Sequence, residues 1–192
     1  MEDRIIFQPS GLLKDSRVYN IECDLDFLPP IDIIDKIMID FVMYRISIRG
    51  FPDLNIFPNK VGRTKYHSVT NEILNKLTDK ADEFERQYYP RFENRKSLLE
   101  KIPERAFLDF IDTLHGIFED NQINWGRIIG YFTFVGSYCT ACIEHGMVRI
   151  VYNLVEYAIK YMNTNLSGWM SSNGGWRGLG MALSTESFEL RF

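Results

Sequence analysis

A chain of 192 residues is the length of one domain, and hydrophobic residues at 45% can fill a substantial core. A net charge of −4 argues against nucleic-acid binding as the main activity, because phosphate recognition needs a basic face. Three cysteines, an odd number, do not make a disulfide framework, and no basic stretch leads into an apolar one at the start; the expectation is a chain without a secretory leader in a reducing compartment.

Residues 1–30 are the least regular, interrupted by Pro9, Gly11 and Pro29-Pro30, and read as an N-terminal extension to a domain spanning 31–192. After the two prolines, Ile34, Ile37, Met38, Phe41 and Ile48 return to one face of a 3.6-residue repeat. Arg49-Gly50-Phe51-Pro52 then stops the helix with a cation, a glycine and a proline, and 51–66 reads as loop. A second helix is predicted from about Ser68 to Tyr89, with Ile73, Leu77, Ala81, Phe84 and Tyr88 on one face and Pro90 as its stop. A charged segment, 91–101, leads to Pro103, which suits a helix start. Phe107, Phe110, Ile111, Leu114 and Phe118 give that helix its apolar face, and Asp120-Asn121-Gln122 breaks it.

Asn124 is a good N-cap, since its side-chain oxygen can accept from an orphan backbone N–H. From Ile128 to Ile143 the helix it opens carries no charge for sixteen residues, to about Glu144. A membrane-spanning helix needs about 20 apolar residues, so this one is expected to be a core helix. Being apolar nearly all round, it belongs in the middle of the fold. His145-Gly146 makes a break, and Met147, Val151, Leu154, Ala158 and Met162 mark another helix. Residues 163–168 look polar and turn-like; one short helical turn, an Asn173-Gly174-Gly175 stop and a restart at Trp176 follow. About seven helical pieces and no alternating strand predict helix-only layers around one core. The last residues, "STESFELRF", hold no hydrophobic tail, so no membrane anchor is expected within this stretch.

Cys139 and Cys142, with His145 three residues on, have zinc or redox spacing. A structural zinc site wants four ligands, and Cys23 is the only other thiol, so both cysteines are expected in the core. His67, His115 and His145 have no nucleophile in motif context, and no glycine-rich loop could cradle phosphate. The expectation is a protein that is not an enzyme and uses no cofactor or metal. Asn165-Leu166-Ser167 fits a glycosylation sequon that would go unused without a leader.

Arg127 is the anomaly. The macrodipole opposes a cation in the first turn of a helix, so a compensating anion is expected. It could be Asp120, solvent, or the carboxylate of a ligand.

Four stretches together resemble the Bcl-2 family of apoptosis regulators, over residues 31 to about 183. "FEDNQINWGRIIGYFTF" (118–134) is similar to the first homology region, "WMSSNGGWRGL" (169–179) to the second, "LTDKADEFERQY" (77–88) to the third and "MIDFVMYRISIRGF" (38–51) to the fourth. The Ile- and Asn-rich composition and the leading extension resemble poxviral members more than animal ones. The chain departs from the pattern with Asp120-Asn121 where Asp-Gly is frequent and with Ala81 where glycine is commoner.

The resemblance implies an all-α Bcl-2-like bundle, a central hydrophobic helix wrapped by about six others, with a surface groove that binds BH-3 helices. Its walls would be Phe84, Tyr88 and Phe92 on one side and Leu114, Ile117 and Phe118 on the next helix. Ile129, Gly130 and Phe134 would form the floor, and Asn124, Trp125, Gly126 and Arg127 the head. On periodicity alone these apolar residues are core. Under the resemblance Arg127 meets the ligand's aspartate, Gly126 lets the partner backbone approach, and Trp169 and Trp176 cover the end of the central helix. The stretch 77–88 is expected to be wall rather than ligand, since exposing it would forfeit apolar burial. The implied partners are BH-3 motifs of pro-apoptotic proteins of the Bim, Bid, Bak and Bax type, met in the host cytoplasm at the mitochondrial outer membrane, with room for peripheral membrane association and homodimer formation. A pore-forming pro-apoptotic member, or a groove-less helical adaptor of the same fold, are the alternatives.

Overall fold

The computed structural model describes residues 30–52, 54–57, 68–87 and 103–184. The helices are α1 (Pro30–Ser47), α2 (Ser68–Gln87), α3 (Ala106–Gly116, entered through a 3-10 turn, Pro103–Arg105), α4 (Trp125–Glu144), α5 (Val148–Tyr161), α6 (Ser167–Ser172) and α7 (Gly175–Leu183). Among the described residues there is no strand. The extension before Pro30, the loop residues 58–67, Tyr88, the charged segment 91–101 with Phe92, and the residues from 185 onward lie outside the described residues.

The central helix is α4. Seventeen of its twenty residues are buried, so it has no solvent face and must be wrapped on all sides. It packs most extensively on α1, α5 and α2, and also touches α3 and α7. Thr133 and Thr140 can be buried because each hydroxyl donates to a carbonyl one turn back, of Ile129 (2.9 Å) and Gly136 (2.8 Å). Tyr131 and Tyr138 send their hydroxyls across to carbonyls of Ala158 and Ala106, both at 2.6 Å, tying α4 to α5 and α3. Gly136 is the point of closest approach to α1: a Cβ there would lie 2.8 Å from the Phe41 ring and 3.1 Å from Cγ of Arg45.

The predicted apolar faces are largely the buried ones. Ile34, Ile37, Met38 and Phe41 on α1, Ile73, Leu77, Ala81 and Phe84 on α2, and Val151, Leu154 and Ala158 on α5 all sit in the core. Ile48 does not: α1 ends at Ser47, and the turn into Gly50 (φ 97°) rotates Ile48 into solvent. Likewise Ile117 and Phe118 follow the end of α3 at Gly116 rather than lying within the helix.

One connection differs in kind. Residues 163–168 were expected to turn, but the chain stays helical from Val148 to Ser172 through a π-helical stretch, Met162–Leu166. The wider turn keeps Met162 and Leu166, four apart, both facing the core, where both are buried. The polar side chains that suggested a loop fold back onto the helix instead, Asn165 Nδ2 donating to the Tyr161 carbonyl (3.0 Å) and Ser167 Oγ to that of Asn163 (2.6 Å). The Asn173-Gly174-Gly175 reversal is as predicted, with Gly174 and Gly175 at φ 93° and 57°.

Candidate functional site

The head of α4 is built from a short turn upward. Asn124, in extended conformation, caps the helix: its Oδ1 accepts from the Arg127 N–H at 2.8 Å. Asp120 Oδ1 accepts from the Gln122 N–H at 3.0 Å, closing the turn before the cap. Between them Asn121 sits at φ 59°. The Asp120-Asn121 departure therefore keeps the left-handed position a glycine would take, because asparagine tolerates it better than most residues.

The compensating anion for Arg127 is Asp120. Its two carboxylate oxygens meet Nη1 and Nη2, the latter at 2.7 Å, and Nη1 also donates to the Gln122 carbonyl at 2.8 Å. The arginine is only 7% exposed, whereas the Asp120 side chain is about half exposed, at 49%. The guanidinium holds the Asp120 carboxyl well below its usual range, at about 2, helped by the Gln122 N–H. Arg127 Nε is buried and finds no acceptor among the described residues. A buried unsatisfied donor costs about 1–3 kcal/mol, more when charged, so this atom is a stored deficit at the head of the helix.

Trp125 is half-buried against the core and meets Trp169 edge-on, ring centres 5.0 Å apart at 70°. Trp169 thus covers the head of α4, while Trp176 is buried in α7, which packs on α4. Gly178 was not singled out in the sequence. A Cβ there would come within 2.3 Å of the Asn173 carbonyl oxygen and 2.8 Å of the Trp125 ring, so only glycine lets α7 seat against the tryptophan. The only local hint was small-residue spacing in "GGWRGLG".

The other predicted site residues fall into two groups. Leu114 is fully buried, and Ile129, Gly130, Phe134, Phe84, Phe118 and Gly126 are shielded from solvent; Phe134 stacks on Phe110 at 5.3 Å. Asn124 is exposed, and Ile117 and Trp125 are intermediate. Helices α2 and α3 both pack on α4. The predicted floor residues Ile129, Gly130 and Phe134 are all buried.

The third-region stretch on α2 is turned inward. Leu77, Ala81 and Phe84 are buried, and Asp82 pairs with Arg45 of α1, which also meets Glu85 at 2.5 Å. Ser137 of α4 donates to Glu85, and Arg49 stands 3.7 Å from the same carboxylate. Arg45 is 3% exposed and its carboxylates raise its pKa against the opposing effect of burial. This three-helix ionic cluster was missed in the sequence, where Arg49, not Arg45, was singled out as the cation at the helix end.

Cys139 and Cys142 are buried free thiols. Burial pushes Cys142 up to about 12 and Cys139 well above the ordinary thiol value, the opposite of an activated nucleophile. Among the described residues no group of three or more metal-binding side chains converges, and no helix is long and apolar enough to cross a membrane.

A family model described as apoptosis regulator proteins of the Bcl-2 family matches residues 77–176. Similar curated proteins include Bcl-2-like protein 1 of Gallus gallus, 32% identical over 106 residues, covering 55% of this chain and 46% of that protein. Apoptosis regulator Bcl-2 of Gallus gallus is 33% identical over 100 residues, 52% of this chain and 42% of that one. The matched stretch thus spans about half the length of these relatives. Among solved structures, that of Trichoplax adhaerens trBcl-2L2 bound to trBak BH3 superposes with a TM-score of 0.68 at 22% identity, over 81% of this chain and 100% of that one.

Proposed function

The chain belongs to the Bcl-2 family of apoptosis regulators, and from that premise we propose that it is an anti-apoptotic member that seats BH-3 helices of pro-apoptotic proteins across α4. The observation that carries this reading is Arg127: a buried cation, fixed at the head of the central helix, whose Nε has no acceptor among the described residues. A ligand helix supplies what is missing, an aspartate for Arg127 and about four apolar side chains for the face between α2 and α3, each contributing roughly 1.5–3 kcal/mol when buried. The solved relative bound to a Bak BH3 segment supports a partner of that kind. Because Ile129, Gly130 and Phe134 are buried in the free chain, binding includes an opening step, and affinity will not follow groove area.

Two observations support this reading over a donor-helix role for the third region and over pore formation. The chain's own third region is held inward by Leu77, Ala81 and the Asp82–Arg45 pair, which makes it a wall and not a donor helix. The same cluster bolts α1 to α2 and reaches α4, which opposes the opening that pore formation needs. The Ile- and Asn-rich composition supports a poxviral source, and with it host BH-3 proteins at the mitochondrial outer membrane as targets.

Calorimetric titration with a panel of BH-3 peptides of about 25 residues tests the reading. Several should bind near the nanomolar range, about −12 kcal/mol, and Arg127→Ala should weaken them by about 2–5 kcal/mol with the helical signal intact. No heat with any peptide, from folded protein, would leave the fold standing and remove the function. Leakage from liposomes after peptide addition would favour the pore-forming alternative.

A further inference from the structure

A guanidinium carries five N–H groups in a planar fork and offers a carboxylate two distinct edges, Nη1–Nη2 and Nε–Nη2. In this chain the first edge is full. Asp120 takes one proton from each Nη nitrogen, and the Gln122 carbonyl takes the second proton of Nη1. Among the described residues nothing accepts from the two remaining donors, Nε–H and the last proton of Nη2, which are parallel and side by side. They form the spacing of a second two-pronged carboxylate contact, and Nε is buried without an acceptor among the described residues.

We propose that Asp120 is a positioning residue: it locks Arg127 by the Nη1–Nη2 edge, so that the Nε–Nη2 edge alone is presented to the carboxylate of a ligand helix. This rests on the reading that such a helix docks at the head of α4. The lock is itself anchored. Asp120 is held by the Gln122 N–H in the turn that Asn121 closes in left-handed conformation, and the Arg127 N–H is capped by Asn124. The guanidinium is thus fixed through both its backbone and its far edge, and a ligand loses little freedom in ordering it. Two carboxylates on one cation would ordinarily repel. Asp120, half exposed, is screened by water, while the buried Nε edge is not, so the cation keeps its attraction for a second anion on that side.

The test uses the whole chain and two Bak-type BH-3 peptides, identical except for Asp or Asn at the conserved acidic position. Asp120→Asn keeps the side chain's size and an oxygen to accept from Gln122, so the turn survives; circular dichroism checks this. In the wild type the Asp peptide should bind at least about tenfold more tightly than the Asn peptide. In Asp120→Asn that preference should shrink to roughly twofold, through weaker binding of the Asp peptide alone. Equal loss for both peptides would mean a merely structural role and overturn the proposal. So would an unchanged preference, or tighter binding of the Asp peptide, which would make Asp120 a competitor for Arg127. Wild-type binding with no Asp preference overturns the proposal while leaving the groove; binding of neither peptide removes the groove and the proposal with it.

Discussion

The molecule buries two arginines on different terms. Arg45, between α1 and α2, is answered by two carboxylates, Asp82 and Glu85, while a second arginine and a serine hydroxyl gather at Glu85. Arg127, at the head of α4, is answered by one half-exposed carboxylate and a backbone carbonyl, and its Nε is left over. A cation met by two carboxylates of a neighbouring helix holds helices together. A cation met on one edge keeps a donor for a further acceptor. Burial alone does not distinguish the two; the accounting of donors does.

The comparison can be broken at its structural end first. Arg45→Ala removes the shared cation from a three-helix cluster and should lower unfolding free energy by about 3 kcal/mol, the low end of the range for a broken buried pair because Asp82 can rehydrate. Urea titration measures it, and a loss under about 1 kcal/mol would make the cluster ornamental. Gly136→Ala drives a methyl into Phe41 and the stem of Arg45 and should cost about 2 kcal/mol by the same assay. Gly178→Ala should cost a comparable amount, about 1–3 kcal/mol, and also shift the fluorescence of Trp125, since its Cβ meets that ring and the Asn173 carbonyl.

Arg127→Ala should destabilise by only about 1 kcal/mol, because its partner is half exposed and regains water; its large effect belongs to peptide binding. The smallest effect is with pH. The Asp120 carboxyl is depressed, so its contribution to stability is complete above the ordinary carboxylate range and is lost only as pH falls through about 2. Carbon NMR of the Asp120 carboxyl should therefore show no titration between pH 8 and about 4. A midpoint near the ordinary value would mean the pair does not hold in solution.

Much of this was legible in order along the chain. Asn124 before an uncharged run marked the start of α4 to the residue, because capping is a contact between neighbours three apart. Gly174 and Gly175 marked the reversal for the same local reason. The stretch 163–168 misled because Asn, Thr and Ser signal turns only when their side chains compete with the helix; here they bond back along it. Of the site residues, Arg127 stood out by its conflict with the helix dipole, and Asp120 was one of the anions near enough to answer it. Leu114 and Phe134 could not be assigned to core or groove from spacing, since both demand the same apolar period.

Sequence alone determined the start of α4, most helix stops, which faces are apolar, and that the least polar helix lies in the middle, because caps, breakers and periodicity act within a few residues; it did not show that the chain stays helical through 163–168. Only the tertiary structure decided which anion each arginine meets and how many of its donors are left. Arg45 and Asp82 are 37 positions apart, and a charge is satisfied by what folding brings within about 3 Å of it, whatever the distance along the chain.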